Sequence, residues 1–443
     1  MSPGVAGNRS DRFSRWLVGR VLRAIGCPPI CVVLWDGQQV AAADGPLLAR
    51  VLIHDRPTLL KLILNAELHF GDAYSDGRIE VQGDLLEFLE TVYRAMAAAR
   101  RRAGPLKRKL SQWINRRHRN TPRGARANIH HHYDIGNDFY RLWLDDEMVY
   151  SGAYFPDPEM TLEQAQLAKM DYVCRKMWLK PGESVVEVGG GWGALALFMA
   201  RHYGVTVKSY NISHRQTDYA RQKAKAEGLD DRVEFIEDDY RNISGRFDAL
   251  VSLGMLEHVG VSHYRQFGAM MDRCLGPAGR GLIQVIGQNQ PGRRSLWIER
   301  RIFPGAYPPS PRQLADIFEP WEFSLLDMEN LRLHYARTLR HWLERFESAA
   351  GAVRDMFDER FVRAWRLYLA GSATAFSTGS LQLFQALFAR AGVNRLPWTR
   401  SRLYDPTATK GERRKGEGGV RTSRLSGISA FSTAKRAQEN ELQ

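Results

Sequence analysis

The chain has 443 residues, with 63 Lys and Arg against 49 Asp and Glu, a net charge of +14, and 44% hydrophobic residues. This composition predicts two or more globular domains with a sizeable core and excludes a chain disordered throughout. No apolar run approaches the roughly 18 residues that span a bilayer, because the best stretch, from Trp16 to Trp35, is broken by Arg20, Arg23 and Pro28-Pro29.

The excess of cations favours a polyanionic partner, nucleic acid or an anionic membrane face. The first residues have no signal-peptide layout. Four cysteines in a chain of this length make no disulfide framework, so a reducing cytosol is the expected compartment. Cys27 and Cys31 have no second pair and read as core packing.

Residues 1–95 read as a small N-terminal α+β domain. The β-branched run at 30–35 is a strand followed by the hairpin signal Asp36-Gly37. Residues 59–66 and 85–96 read as helices, the second opened by Gly83-Asp84. From Thr91 to Tyr133 there is no acidic residue, while Arg100, Arg101, Arg102, Lys107, Arg108 and Lys109 lead a long basic run. Residues 96–127 are therefore read as a basic linker. Near an anionic bilayer each such charge adds about 1 kcal/mol. Trp113 and Ile114 among the cations favour surface docking over a merely solvated linker.

Residues 128–404 alternate short apolar strands with amphipathic helices, the pattern of an α/β parallel sheet. Thr161-Leu162-Glu163-Gln164 is a capping box opening a helix that Pro181-Gly182 ends. Strands are expected at 184–188, 205–210, 233–237, 247–253 and 281–287. Helices are expected at 194–202, capped by Gly204, and at 213–227, ended by Gly228. Residues 405–443 are rich in Lys, Arg, Gly, Ser and Thr and read as a disordered basic tail.

Glu187-Val188-Gly189-Gly190-Gly191-Trp192-Gly193 joins the first of these strands to its helix. Glycines are needed where the turn is tight and a ligand must approach the backbone with no Cβ in the way. The spacing differs from G-x-G-x-x-G, and no acidic ribose ligand follows the second strand, so S-adenosylmethionine (SAM) is favoured over a dinucleotide. Glu187 stands where a carboxylate can pair with the methionine ammonium. Asn211, Ser213 and Gln216 stand where a ribose edge would lie. Asp238, Asp239 and Tyr240 follow the third strand, where an acid can accept from an adenine amino group beside an aromatic face. His130, His131 and His132 lack partners at zinc-like spacing, so no metal is expected.

Several further blocks carry a family resemblance. They are His131-His132-Tyr133-Asp134-Ile135-Gly136-Asn137-Asp138-Phe139-Tyr140, Met148-Val149-Tyr150-Ser151-Gly152-Ala153-Tyr154-Phe155, the loop with Gly191-Trp192-Gly193, Leu256-Glu257-His258-Val259-Gly260, Ile302-Phe303-Pro304-Gly305, and Tyr335 ahead of Leu339 and Trp342. Together, from about residue 50 to Tyr404, the chain resembles cyclopropane-fatty-acyl-phospholipid synthases. The resemblance implies a Rossmann-like SAM-dependent methyltransferase sheet with helical lipid-site insertions. It implies transfer of a methylene unit to the cis double bond of an acyl chain in a membrane phospholipid. The enzyme would be cytoplasmic and peripheral at the inner membrane face, with a homodimer left open. Tyr150 and Ser151 would join the cofactor site.

That chemistry has physical demands. An alkene is a weak nucleophile, and methylation leaves a carbocation that water would quench, so a dry aromatic tunnel is required. Tyr150 and Tyr335 could each stabilise the cation by roughly 1–2 kcal/mol. Trp297 and Phe303, near Tyr307, are candidates for the tunnel wall or for packing. In the family the base is a bound bicarbonate, held in a cradle that maps here onto Gly152, Glu257, Gln284, Ile286 and Tyr335, with Ser372 nearby.

Three positions depart from the family pattern. Gly152 and Ser372 stand where cysteines are usual, so a thiolate nucleophile is excluded. The Gly152 change is mild if only backbone contacts matter. Gln284 replaces a histidine, and a neutral amide cannot carry a proton away. Ring closure with bicarbonate therefore competes with another proton loss, which gives a methyl- or methylene-branched chain. His258 reads as a base or, more readily, as a packing residue. A nucleic-acid methyltransferase is the alternative that the charge suggests, but no Asn/Asp-Pro-Pro-aromatic block that grips a flipped base is present.

Overall fold

A computed structural model describes residues 12–102, 135–292 and 295–404. The histidines 130–132, the basic run beyond Arg102, the first part of the block at His131 and the 405–443 tail lie outside the described residues.

The N-terminal part comprises α1 (Arg12–Ala24), β1 (Ile30–Val33), β2 (Gln39–Ala41), β3 (Ala49–Ile53), α2 (Arg56–Ser75), β4 (Ile79–Gln82) and α3 (Leu85–Arg102). Its sheet runs β2-β1-β3-β4, with the β1–β2 hairpin turning at Asp36-Gly37 as expected. Asp55 caps α2 by accepting from Thr58 N at 2.7 Å, with Pro57 in the first turn. This helix runs well past the 59–66 expected. It breaks at Asn65 (φ −158°, ψ 88°), and the Asn65 side chain accepts from Leu68 N at 3.2 Å to restart it. Cys31 is buried as expected. Cys27 is an exposed turn residue with φ +52°, not a core side chain.

The remainder comprises α4 (Asn137–Arg141), α5 (Leu162–Lys176), β5 (Ser184–Val188), α6 (Ala194–Tyr203), β6 (Thr206–Asn211), α7 (His214–Ala226), β7 (Val233–Glu237), β8 (Phe247–Leu253), α8 (Tyr264–Cys274) and β9 (Leu275–Gly287). Then follow α9 (Leu296–Arg301), α10 (Pro311–Phe318), β10 (Phe323–Asn330), α11 (Arg332–Ser348), α12 (Ala350–Met356), α13 (Glu359–Ser377), β11 (Gln382–Arg390) and α14 (Ser401–Tyr404). The capping box forms at Thr161 and Gln164. Helix α5 stops at Lys176, before Pro181-Gly182, because Trp178 takes a left-handed φ of +40°.

The large sheet runs β10-β11-β9-β8-β5-β6-β7. Its five strands from β9 to β7 are parallel, as expected, but β11 is antiparallel to both β9 and β10. Strand order reverses at β5, which lies between β6 and β8, so the crevice beyond its carboxyl end is where an open α/β sheet takes a ligand.

The two sheets share one apolar cluster. Ile79, Phe88 and Leu89 of the N-terminal part join Phe139, Trp143, Trp342 and Trp365. Helix α13 packs on α2, α3 and α11. Arg363 pins the contact by donating to the carbonyls of Tyr74 and Ile79 at 2.6 and 2.9 Å. Among the described residues, no helix is long and apolar enough to cross a membrane.

Candidate active site

The glycine loop lies at the carboxyl end of β5, with positive φ at Gly189, Gly191 and Gly193. A Cβ on Gly189 would lie 2.8 Å from the Met255 Cβ, and one on Gly193 would lie 2.7 Å from the Phe235 ring. One on Gly190 would collide with the Ser209 hydroxyl. These three glycines are needed by the protein's own packing. A Cβ on Gly191 would meet nothing within 4 Å, so on that side this glycine faces open space.

Asn211 Nδ2 ties the Gly191 carbonyl at 3.2 Å and Gln216 Oε1 at 2.9 Å. The Ser213 hydroxyl is buried beside them with no partner. Glu187 accepts from Ser209 Oγ at 2.6 Å, and burial pushes its carboxyl up to about 7 against that bond and the Lys169 charge. Trp192 donates its indole N–H to Asn137 Oδ1 at 2.8 Å and lies 4.9 Å from the Tyr140 ring, so α4 clamps the loop.

Asp239 is differently engaged from what its position suggests. Arg241, two residues on, grips it with two bonds of 2.7 and 2.6 Å. Asp238 accepts from Asp239 N and Asn242 Nδ2. The Tyr240 ring lies 5.3 Å from Phe267.

The segment 149–152 is held from below by α5. Gln166 Nε2 donates to the carbonyls of Val149 and Ser151 at 3.3 and 2.9 Å, and Lys169 Nζ donates to Ser151 Oγ at 3.0 Å. Lys169 is fully buried, and desolvation lowers its ammonium to about 8 against the pull of Asp145 and Glu187. The motif reading missed both residues. Their one visible signal is that they fall on the face of α5 that also buries Met170 and Val173.

The cradle positions come together. Glu257, in the turn after β8, accepts from Ile286 N through Oε1 at 2.5 Å, while its Oε2 is buried with no partner. Burial pushes this carboxyl up to about 7. Ile286 pairs with Leu383 across β9 and β11. A Cβ on Gly152 would stand 3.0 Å from both the Leu383 side chain and the Tyr335 ring. The Gly152 change is therefore not only a matter of backbone, since the missing side chain lets Tyr335 close in.

Gln284 stands on the same face as Ile286, two residues back, opposite Gln385. Ser372 shares its face of α13 with Tyr368 and Phe376, four residues either side. Tyr368 and Tyr150 join hydroxyls at 2.7 Å, and Phe376 lies 4.6 Å from Tyr335.

Aromatic rings wall this space. Trp342 lies 5.3 Å from Tyr150 and 5.9 Å from Tyr335, and Trp143 lies 5.4 Å from Tyr150. Phe303 sits 5.6 Å from Tyr368 and 6.0 Å from His258. Trp297 instead packs on Gly71 of α2, where a Cβ would meet its ring at 2.5 Å. Desolvation lowers His258 to about 4, so it is neutral at pH 7, as a packing histidine would be. Among the described residues, no cluster of three or more His, Cys, Asp or Glu could hold a metal.

The mycolic acid cyclopropane synthetase family matches residues 120–386, and a domain family of unknown function matches residues 19–102. The chain is 37% identical over 389 residues to a probable fatty acid methyltransferase of Pseudomonas putida, spanning 85% of this chain and 96% of that one. It is 41% identical over 266 residues to the cyclopropane-fatty-acyl-phospholipid synthase of Escherichia coli K12, spanning 60% of this chain and 68% of that one. The solved structure of mycolic acid cyclopropane synthase CmaA1 complexed with SAH and CTAB is similar with a TM-score of 0.57 at 28% identity. That match covers 60% of this chain and 98% of the other.

Proposed function

The chain belongs to the mycolic acid cyclopropane synthetase family and is a SAM-dependent methyltransferase of lipids, and from that premise we propose that it converts the cis double bond of an unsaturated phospholipid acyl chain into a cyclopropane. The observation that carries this reading is the partnerless, buried Oε2 of Glu257, whose other oxygen holds Ile286 N opposite Leu383, the residue on which Gly152 and Tyr335 close.

Tyr150, Ser151, Glu187, Gly189, Gly191, Trp192, Gly193, Asn211, Ser213 and Gln216 would hold SAM, with Asp239 and Tyr240 towards the adenine. When bound, SAM supplies an electrophilic methyl group on a sulfonium. The aromatic wall excludes water and faces the positive charge left on the alkene once the new C–C bond forms. Loss of a proton from the added methyl then frees the C–H electron pair to close the ring. Glu257, Gln284, Tyr335, Ile286 and the backbone at Gly152 would hold a bicarbonate, and when bound it supplies the base for that proton. The orphaned Glu257 oxygen fits this group, because bicarbonate carries the O–H that such an oxygen lacks.

A branched product is the second reading. It is favoured by the neutral amide of Gln284 where the resemblance expects a histidine. The test is SAM with unsaturated phospholipid vesicles and proton NMR of the product. A cyclopropane leaves no double bond. A methyl-branched alkene of the same mass, still cleaved by ozone, would displace the first reading in favour of the second.

The substrate lies in a bilayer, and the basic run after Thr91 is proposed to dock on its anionic face. In the described part, α1 adds an exposed aromatic pair. Phe13 and Trp16 stack at 5.9 Å between arginines, and Arg20 lies 5.2 Å over Trp16. Such a basic amphipathic helix suits a membrane interface. The double variant Phe13→Ser, Trp16→Ser is expected to weaken vesicle sedimentation by about tenfold or more. Neutralising Arg100, Arg101, Arg102, Lys107, Arg108 and Lys109 should weaken it at low salt only, because screening shortens to about 3 Å at 1 M. Unchanged sedimentation of both variants at low salt would remove this docking mode.

A further inference from the structure

We propose that Gln284 presents its amide N–H, not its carbonyl oxygen, to the cradle as the donor that positions an oxyanion, and that Lys176 sets this polarity through Gln385. The proposal deepens the reading of the cradle given above and rests on it.

The geometry is a buried relay across three strands. Lys176 Nζ, at the end of α5, donates to Glu329 Oε2 of β10 at 2.5 Å and to Gln385 Oε1 of β11 at 2.9 Å. Gln385 Nε2 donates to Gln284 Oε1 of β9 at 2.8 Å. Lys176, Gln385 and Gln284 are all buried. Tyr172 also donates its hydroxyl to Glu329, at 3.1 and 3.3 Å, which anchors the acceptor end of the chain.

The order of atoms follows from chemistry and does not depend on how amide nitrogens and oxygens are assigned. An ammonium has three donors and no acceptor. The Gln385 atom facing Lys176 must therefore be oxygen, and the other end of that amide must be nitrogen. A nitrogen donor facing Gln284 then demands the Gln284 oxygen. Reversing either amide would set N–H against N–H in a buried place, with an unmet donor as the result.

Gln284 is left with its NH₂ for the face it shares with Ile286 and Leu383, against which Gly152 packs. Glu257 Oε2 is unpartnered on the carboxyl whose Oε1 holds Ile286 N, two residues along β9 from Gln284. One fixed donor and one carboxyl oxygen that needs a proton suit a small oxyanion that carries its own O–H, the class of bicarbonate. A neutral histidine can supply the same donor in one tautomer only. The amide supplies it without titrating.

The test uses the full-length protein in carbonate-depleted buffer. Carbon-13 bicarbonate is titrated and followed by NMR line broadening, and SAM affinity is measured by calorimetry on the same samples. Gln284→Met, which fills the space without a donor, is expected to weaken bicarbonate binding by about tenfold or more. Gln284→His should hold it within about threefold of wild type. Lys176→Met should weaken it too, since nothing then orders the two amides. SAM affinity should stay within about twofold throughout. Wild-type binding by Gln284→Met, or no bicarbonate binding by the wild type, overturns the donor role. Wild-type binding by Lys176→Met overturns the polarity lock. No lipid is present, so a branched product in the vesicle assay leaves this result standing, and the two failures are told apart.

Discussion

Glu257→Gln is expected to lower turnover on vesicles by about 10²-fold or more, leave SAM affinity unchanged, and raise the melting temperature at pH 8. The first effect follows from the proposed role of the carboxyl, with one oxygen tied to Ile286 N and the other buried without a partner, where the proposed bicarbonate would donate its O–H. The amide keeps the shape, but with its oxygen on Ile286 N it turns an N–H donor to the place where an acceptor is needed to hold the base. The stability effect has the opposite sign. Burial holds Glu257 at about 7 in the fold, above its ordinary 4.5. Between those values the folded state binds the extra proton, so stability falls as pH rises from about 4.5 to 7, and the full loss is present above 7. Ionising such a group costs the fold on the order of 3 kcal/mol. Glutamine avoids that cost at pH 8 and gains nothing near pH 4. Glu187, held at about 7, and Asp145, held at about 6, act in the same direction, so the wild type should melt lower at pH 8 than at pH 6. Turnover within about threefold of wild type, or a variant that melts lower at pH 8, would refute the assignment. A merely structural Glu257 would leave turnover near its starting value.

The glycine loop after β5 was legible in the chain because its conformational requirements are local. Positive φ at Gly189, Gly191 and Gly193 and the short reach from β5 to α6 are properties of neighbouring residues. The strands β5, β7 and β8 lie where their apolar runs placed them, and Gly204 and Gly228 end helices with positive φ as read. The antiparallel pair was not legible. β11 is buried along eight of its nine residues, so it carries no alternation to reveal a strand or its direction. The early end of α5 and the continuation of α2 past Asn65 turn on single backbone conformations that apolar periodicity does not report. The proposed cradle was readable only through family resemblance, because Gly152, Glu257, Tyr335, Ser372 and the β9 pair Gln284 and Ile286 come from five places in the chain that only the fold assembles. Lys169, Lys176 and Gln385 gave no motif. Polar side chains on a buried face look like errors of patterning until their partners Ser151, Glu329 and Gln284 are placed beside them.

Gly191→Val is expected to abolish SAM binding, with a loss of about 10²-fold or more in calorimetric titration, and to leave the fold standing. Of the loop glycines, this is the one where an added Cβ meets no protein atom within 4 Å. On the proposed reading this open space takes a ligand that approaches the backbone, with the carbonyl tied back to Asn211 at 3.2 Å. Gly189→Val is a poorer probe, since its Cβ would first meet Met255 at 2.8 Å and disturb the fold itself. Valine at φ +54° also strains the backbone, by about 1–2 kcal/mol, so strain and ligand exclusion must be separated. Gly191→Asn does this, because asparagine tolerates the left-handed region while still placing a side chain over the loop. Both variants should melt within a few degrees of wild type, and both should lose SAM. If the asparagine variant binds SAM as the wild type does while the valine variant does not, backbone conformation governs the site. If both bind normally, SAM does not approach the chain at Gly191, and the placement of the cofactor over this loop fails with it.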